Sequence, residues 1–442
     1  MTRARQHLSQ ILELSRRAAT AVLVLTIMCM LTIVATQPAQ AQTFSVVHSF
    51  SGGAEGGGPA GGLAIDGGGN LYGATEDGPL GYGGVYKLKL ANGTISPLYQ
   101  FTGAADGAYP NGVVIGPNGT LYGNAHGGGL QMCTGAGGNP GCGVVFNLRP
   151  PARACTTALC PWAETAIYRF MPGGVDAANP AGDPVFDQSG VLYGATEFGG
   201  GVNCNGGAGC GTVFKLVPSG DSWTESVLYG FTRDGVNGFR TYAGVVLDKS
   251  GNLYGTNYWG PTTGCTSDVG CGTVYELTPS GSGWTQKTLY PLQGPSDGGH
   301  PIAGVIFDNS GNLYGATAEY GTGGGGTVFQ LTPSGSNWVF HLLQSFSSTN
   351  SLCGPQWNLL MDPAGNLYGT TYCDGANNLG NVWELSPSGG GWTYKSLHEF
   401  TGAGDGGYPD GGLVFDRNGN LYGTAYGGGA SGHGVVWEIT FP

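Results

Sequence analysis

The stretch Gly304-Val305-Ile306-Phe307-Asp308-Asn309-Ser310-Gly311-Asn312-Leu313-Tyr314-Gly315-Ala316-Thr317 decides the fold of this chain. It reads as a short apolar run, a turn of Asp, Asn, Ser and Gly, and a second run. A glycine-rich loop follows, then a third run, Gly326-Thr327-Val328-Phe329-Gln330-Leu331. Pro333-Ser334-Gly335 makes another turn, and residues 338–346 are a fourth run. All four have strand length and are rich in β-branched and aromatic residues. The first three lack strict apolar–polar alternation, the pattern of strands covered on both faces. Beyond residue 41 no segment shows a helical period.

The phrase Gly311-Asn312-Leu313-Tyr314-Gly315 recurs at 69–73, 119–123, 190–194, 251–255, 365–369 and 419–423, as Gly-x-Leu-Tyr-Gly. Self-similarity at this spacing means one supersecondary unit stacked repeatedly. Four antiparallel strands repeated seven times are expected to form a seven-bladed β-propeller, an all-β fold. Glycine opens the first strand in five copies, at Gly62, Gly112, Gly244, Gly304 and Gly412, where a propeller crowds its backbones around the axis. The run 44–50 resembles a fourth strand and the run 434–439 a third. The N-terminal strand is therefore expected to complete the last blade and close the ring.

Residues 1–41 read as a signal peptide, leaving 42–442 as one propeller domain. Arg3, Arg5, Arg16 and Arg17 form a basic head, residues 21–35 an apolar run, and Ala39-Gln40-Ala41 a small-residue cleavage site. The expected address is outside the cytoplasm: secreted, periplasmic or at the cell surface. The whole chain has 16 basic and 28 acidic residues. Such an acidic surface is a poor partner for nucleic acid or anionic membrane. A monomer is expected. The 11 cysteines support the exported address. Ten fall beyond the leader as local pairs: Cys133 with Cys142, Cys155 with Cys160, Cys204 with Cys210, Cys265 with Cys271, and Cys353 with Cys373. The expectation is disulfides, because Cys-x2-Cys spacing and neighbouring His are absent.

Two sets of acidic residues recur. The turn aspartates Asp66, Asp187, Asp248, Asp308, Asp362 and Asp416 suit a hairpin in which Asp accepts backbone N–H groups. The calcium-loop reading of Asp416-Arg417-Asn418 fails, since Leu421 stands where glycine is required. A second series precedes the first strands, as in Asp106-Gly107-Ala108-Tyr109-Pro110 and Asp405-Gly406-Gly407-Tyr408-Pro409. In antiparallel blades these connections share a rim with the loops between second and third strands. That rim also carries variable residues just past each Tyr-Gly: Glu76, His126, Glu197, Tyr258 with Trp259, Glu319, Tyr372 and Tyr426. Aromatic rings beside carboxylates suit a sugar or a peptide. The plainer alternative is that they cap turns and cover the core. On the axis, Asp183 and Asn358 replace glycine in blades three and six, and suit a ligand, a cation or channel water.

No catalytic residue, cofactor or metal motif can be read. Gly294-Pro295-Ser296-Asp297-Gly298 matches the nucleophile-elbow string but lacks the strand–turn–helix that chemistry needs. The combined Asp-x-x-Gly-Asn-Leu-Tyr-Gly, Gly-Thr-Val-Phe/Tyr-x-Leu-x-Pro-Ser-Gly and Phe-Thr-Gly-x-x-Asp-Gly segments resemble the GloVer tandem-repeat family of exported bacterial proteins. The resemblance covers nearly all of 42–442 and implies no enzyme activity. The expected function is a binding module for carbohydrate or another extracellular polymer or protein on the loop-rich rim. The competing expectations are a hydrolase or lyase using paired carboxylates there, with Glu76, Glu197, Glu319 or Asp374, and a purely structural protein.

Overall fold

The computed structural model describes residues 42–442 apart from 131–132, 134–140, 152–161, 172–175, 202–203, 205–206, 262–263 and 266–268. Phe44–Thr440 form one unit; the described part of the other is Gln42, Thr43, Phe441 and Pro442. The first unit is a ring of seven antiparallel sheets. The blades span 57–100, 108–169, 177–230, 246–291, 305–347, 360–399 and 414–440. Blade four is typical, with strands Val246–Leu247, Leu253–Asn257, Thr273–Ser280 and Gly283–Pro291 ordered from axis to rim. In blade two the axial strand is split into Ala108–Pro110 and Val114–Ile115. The last blade is completed by Thr43–Ser49 pairing with Val435–Thr440, so the ring closes as the sequence requires. Among the described residues there is no α-helix, and no helix long and apolar enough to cross a membrane.

The recurring phrase builds the second strand. Its leucines are fully buried and its tyrosines nearly so, with Leu253 at 0% and Tyr254 at 5% exposure. Burying each such side chain contributes about 1.5–3 kcal/mol. Each tyrosine ring crosses to the next blade. Tyr254 meets Phe307 edge-on at 5.0 Å, and Tyr368 meets Phe415 at 5.1 Å. In six blades the hydroxyl turns back to the aspartate of its own hairpin, as Tyr72 does to Asp66 at 3.0 Å, and in blade two the Tyr122 hydroxyl accepts from Asn118 Nδ2 at 3.0 Å. That aspartate also accepts the N–H groups of Gly68 and Asn70, which is the turn role expected for it. The closing glycine of the phrase has a packing role. It pairs with a large ring on the third strand, such as Phe214 opposite Gly194 or Trp383 opposite Gly369. A Cβ there would run into the ring.

Neighbouring blades are joined by a repeated stitch. The loop between second and third strands ends on a glycine held at positive φ: Gly83, Gly143, Gly211, Gly272, Gly326, Gly380 and Gly434, between 79° and 101°. In six of the seven joints the carbonyl just before it accepts an N–H from the approach loop of the next blade. Tyr82 accepts from Tyr109 (2.9 Å), Cys142 from Asn179 (2.8 Å), Cys210 from Arg240 (2.7 Å), Cys271 from His300 (2.8 Å), Leu379 from Tyr408 (2.7 Å) and His433 from Gly58 (2.9 Å). In five joints a Cβ on that glycine would strike the Cδ of the next blade's Pro110, Pro180, Pro301, Pro409 or Pro59. Three stitch carbonyls belong to disulfide-bonded cysteines. The disulfides Cys133–Cys142, Cys204–Cys210, Cys265–Cys271 and Cys353–Cys373 all form. They brace the loops that carry the stitch. The expected Cys155–Cys160 pair and the leader 1–41 lie outside the described residues.

Two alanine substitutions separate the stitch from ordinary glycine strain. Gly220 has positive φ but open space around the site of a Cβ, so Gly220→Ala should cost about 1 kcal/mol. Gly143 adds collisions with Pro180 and two carbonyls. Gly143→Ala should cost more than about 3 kcal/mol by urea unfolding; equal costs would show that the joint is slack.

Candidate functional site

The stitch determines which side chains face the mouth of the ring. The donating residue stands in the left-handed region in every case: Gly58, Tyr109, Asn179, Arg240, His300 and Tyr408 have φ of 54° to 63°. Residues other than glycine rarely accept this conformation, and it gathers at functional sites. The same residue then accepts an N–H from the second-strand end of its own blade. Tyr258 donates to Arg240 (2.8 Å), Ala318 to His300 (3.3 Å) and Tyr426 to Tyr408 (3.0 Å). Two positions per blade are thereby tied together on the loop-rich rim. One is the residue before the proline, which in blade four is Arg240 before Thr241; the other is the fourth residue after each repeat tyrosine.

The sequence candidates occupy that second position: Glu76, His126, Glu197, Tyr258, Tyr372 and Tyr426. In blade five Ala318 holds it, and Glu319 follows. Their contacts run around the rim from blade to blade. His126 Nε2 meets Glu197 Oε2 at 3.1 Å. Arg240 donates to Glu197 Oε1 through Nε at 2.9 Å and also through its terminal nitrogen. The same guanidinium lies over Phe198 at 4.9 Å and Tyr242 at 5.4 Å. Tyr258 stacks on His300 at 4.6 Å, and Trp259 meets His300 edge-on at 4.8 Å. His300 Nδ1 bonds Glu319 Oε2 at 2.5 Å, and Glu319 Oε1 accepts the Leu352 N–H at 3.0 Å. Tyr372 and Tyr408 lie 5.3 Å apart. Tyr426 and Glu76 influence each other electrostatically, which returns the belt to blade one.

Electrostatics divides the belt. Burial works against the Glu197 carboxylate, but His126 and Arg240 outweigh it and hold its pKa below the ordinary range. The His300 hydrogen bond does the same for Glu319. Glu76 goes the other way: burial raises it and the Tyr426 hydroxyl only partly offsets this. Burial and the nearby Glu76 push Asp410 up to about 7.

On the axis, Tyr242, Ile302, Gln356, Trp357 and Asn358 line a space of about 10 Å³, the room of one water. Asn358 Oδ1 accepts the Gly304 N–H at 2.7 Å, so it joins blades five and six. The Asp183 carboxyl lies against Gly62 and retains some access along the axis. Its Oδ1 is shut off without a partner, and burial pushes the group up to about 7. Among the described residues no set of three or more His, Cys, Asp or Glu is placed to hold a metal ion.

Sequence reading missed Arg240, Tyr242, His300, Tyr408 and Asp410. The available signal was variation beside a proline that recurs in every blade but the fourth, which has Thr241: Gly58, Tyr109, Asn179, His300 and Tyr408 before it, Ala60, Ile302, Gln356 and Asp410 after it.

These carboxyl groups make stability depend on pH. Asp183 and Asp410 titrate near about 7 when folded but about 3.9 when unfolded. Their contribution is complete below about pH 4 and is lost as pH rises through about 7. The outer-strand Glu164 and Glu225, raised to about 7 by burial and by Asp106 and Asp176, act with the same sign. Glu197 and Glu319 act oppositely, and their contribution is lost in acid below the usual carboxylate range. The thermal midpoint should therefore decline between about pH 4.5 and 7, less steeply in Asp183→Asn and Asp410→Asn. A midpoint that climbs through this window would refute the assignment.

Comparison with solved structures finds proteins of low sequence identity. A fungal alcohol oxidase of the AA5 family, in complex with copper, has a TM-score of 0.52 and 13% identity over 90% of this chain and 76% of its own. A polysaccharide lyase of family PL25, an ulvan lyase, has a TM-score of 0.49 and 12% identity over 88% and 95%. A gluconolactonase from Xanthomonas campestris has a TM-score of 0.43 and 12% identity over 91% of both chains. At these identities the likeness is one of fold alone. No curated protein matches the sequence. The Gloeobacter/Verrucomicrobia repeat matches residues 32–265 and 261–442, and the chain belongs to that repeat family.

Proposed function

We propose that the protein is an exported binding module that takes a carbohydrate polymer at the axial mouth of its loop-rich face. The observation that carries this reading is the belt itself. The second strands and turns repeat almost unchanged, whereas the two positions per blade that face the mouth hold Glu, His, Arg and Tyr in different combinations. Tyrosine faces stack on sugar rings, and carboxylates and imidazoles exchange hydrogen bonds with hydroxyl groups. A stiff ring holding variable mouth residues is the division of labour expected of a recognition surface. The disulfides fit an oxidising compartment and support export.

A paired-carboxylate hydrolase finds less support. Glu197 and Glu319 are each committed to a basic partner within the protein. Asp374 lies near Glu399, and burial raises it.

Residues 42–442 applied to a glycan array should bind a defined class of oligosaccharide, and Tyr372→Ala with Tyr426→Ala should weaken binding at least about tenfold, or about 1.4 kcal/mol. A folded protein that binds no glycan, or binds equally well without both tyrosines, would remove this reading. Release of reducing ends from a bound glycan would move the assignment to the hydrolase.

A further inference from the structure

On the face opposite the mouth, a tryptophan seals most joints of the ring. It stands at the start of the outer strand in blades two to six, and its ring lies against the repeat tyrosine of the preceding blade. Trp162 meets Tyr72 at 6.2 Å, Trp223 meets Tyr122 at 6.0 Å, Trp338 meets Tyr254 at 6.4 Å and Trp392 meets Tyr314 at 6.0 Å. Trp284 and Tyr193 pack against one core cluster. These spacings are those of favourable tilted or edge-on ring pairs. In blades three to six the tryptophan stands opposite a proline near the tip of the hairpin between third and fourth strands, as Trp223 stands opposite Pro218.

Blade one breaks this rule. Its hairpin is shorter: the last cross-strand pair is Lys89 with Thr94, two pairs before the tip that blade three reaches. Gly93 stands in the register of the tryptophan and Leu90 in that of the proline. Between the turns of blades seven and one this leaves a groove of about 650 Å³. Ile65, Leu90 and Phe415, each half-buried, line it with Tyr422. Ile65 and Leu90 pack in the cluster that holds Tyr422, and at 4% exposure that ring is as covered as its counterparts elsewhere. The core of the joint is thus complete, and the groove is spare apolar surface. Arg417 reaches across it from blade seven, and a Cβ on Gly67 of blade one would lie 2.5 Å from its terminal nitrogen. Arg417 is exposed and pairs with no carboxylate among the described residues. The neighbouring Asp416 is committed to the N–H groups of Asn418 and Asn420. A free guanidinium stacks readily on a flat ring.

The chain cannot supply that ring itself. Residues 1–41 hold no Phe, Tyr or Trp, so the leader cannot fill the groove. All nine tryptophans lie beyond residue 161 and none is exposed, so a second copy has no indole to offer. The shortened hairpin lacks backbone as well as an indole, and a groove of this size holds more than a lone ring. We propose that the groove is a docking site for a partner polypeptide, which inserts a tryptophan from an extended segment against Ile65, Leu90 and Phe415 and beside Arg417. Tryptophan is among the side chains that most often anchor such contacts. The groove and the mouth lie on opposite faces, so this inference does not depend on the carbohydrate reading.

The test is a ligand-observed NMR titration of residues 42–442 with a synthetic peptide of residues 386–396, the blade-six tip that carries Trp392. The peptide should bind with a Kd of about 1 mM or tighter, and its Trp392→Ala form at least about tenfold more weakly. N-acetyltryptophanamide, a ring without the chain, should bind at least about threefold more weakly than the peptide. In the protein, Ala91→Trp fills the groove from blade one's own turn and should abolish binding. Arg417→Ala should weaken it about threefold or more. Both substitutions change exposed residues, and circular dichroism with thermal unfolding confirms that the variants are folded. Peptide binding unchanged in both variants lies elsewhere on the protein and overturns the docking site. No binding at about 5 mM peptide, or equal binding of the Trp392→Ala peptide, overturns it as well. N-acetyltryptophanamide that binds as tightly as the peptide assigns the groove to a small aromatic ligand and overturns the polypeptide partner. None of these results alters the glycan-array outcome, which is read on the other face.

Discussion

The hydrogen bond between blades, from the residue before the proline to the carbonyl before the left-handed glycine, is the constraint on which this ring depends. Each blade is a small twisted sheet with two apolar faces, and it is stable only against neighbours. Ring packing is non-directional, since any apolar face satisfies another. The stitch adds direction. It places Cys142 against Asn179, Cys210 against Arg240 and Cys271 against His300 at 2.7–2.8 Å, and at five joints a glycine–proline contact beside it leaves no room for slippage. The disulfides brace the loops from which three of these carbonyls project.

The same constraint creates the candidate site. A residue that donates to the previous blade and accepts from its own second strand is held in the left-handed region, at a cost of about 1–3 kcal/mol if it is not glycine. Tyr109, Asn179, Arg240, His300 and Tyr408 all bear that cost. Structure alone would favour glycine, as at Gly58. Side chains retained there despite the strain project beside the residues that follow each Tyr-Gly. The result is the run of contacts from His126 through Glu197 and Arg240 to His300 and Glu319, and from Tyr372 through Tyr408 to Tyr426 and Glu76.

Much of this was legible in the sequence, for a definite reason in each case. Leu253 and Tyr254 belong to a phrase that repeats because each blade meets the same two neighbours, so the repeat reveals the blade. Glu76, His126 and Glu197 stood out because a variable residue followed an unvarying one. His300 did not, because a residue between Asp-Gly and Pro looks like ordinary turn filler, and Arg240 did not, because its loop has Thr241 where the other blades have proline. The importance of both comes from a positive φ and a partner in the preceding blade, and neither has a local signature. Asn358 shows the converse. Its break from glycine suggested a ligand, a cation or channel water, and the structure uses its side chain to hold the Gly304 N–H of the neighbouring blade.

Taken by itself, the sequence determined the blade, the number of blades and the way the ring closes. Those properties follow from local strand and turn chemistry repeated along the chain, and repetition makes weak local signals add. Only the tertiary structure decided which loops meet. Asp410 and Gly61 lie at opposite ends of the chain and meet in a hydrogen bond because closure sets blade seven beside blade one. Arg240 becomes the partner of Glu197 because the stitch rotates its backbone toward the mouth. Pairing across a closed ring depends on the curvature summed over all the blades, and no single segment of sequence carries that sum.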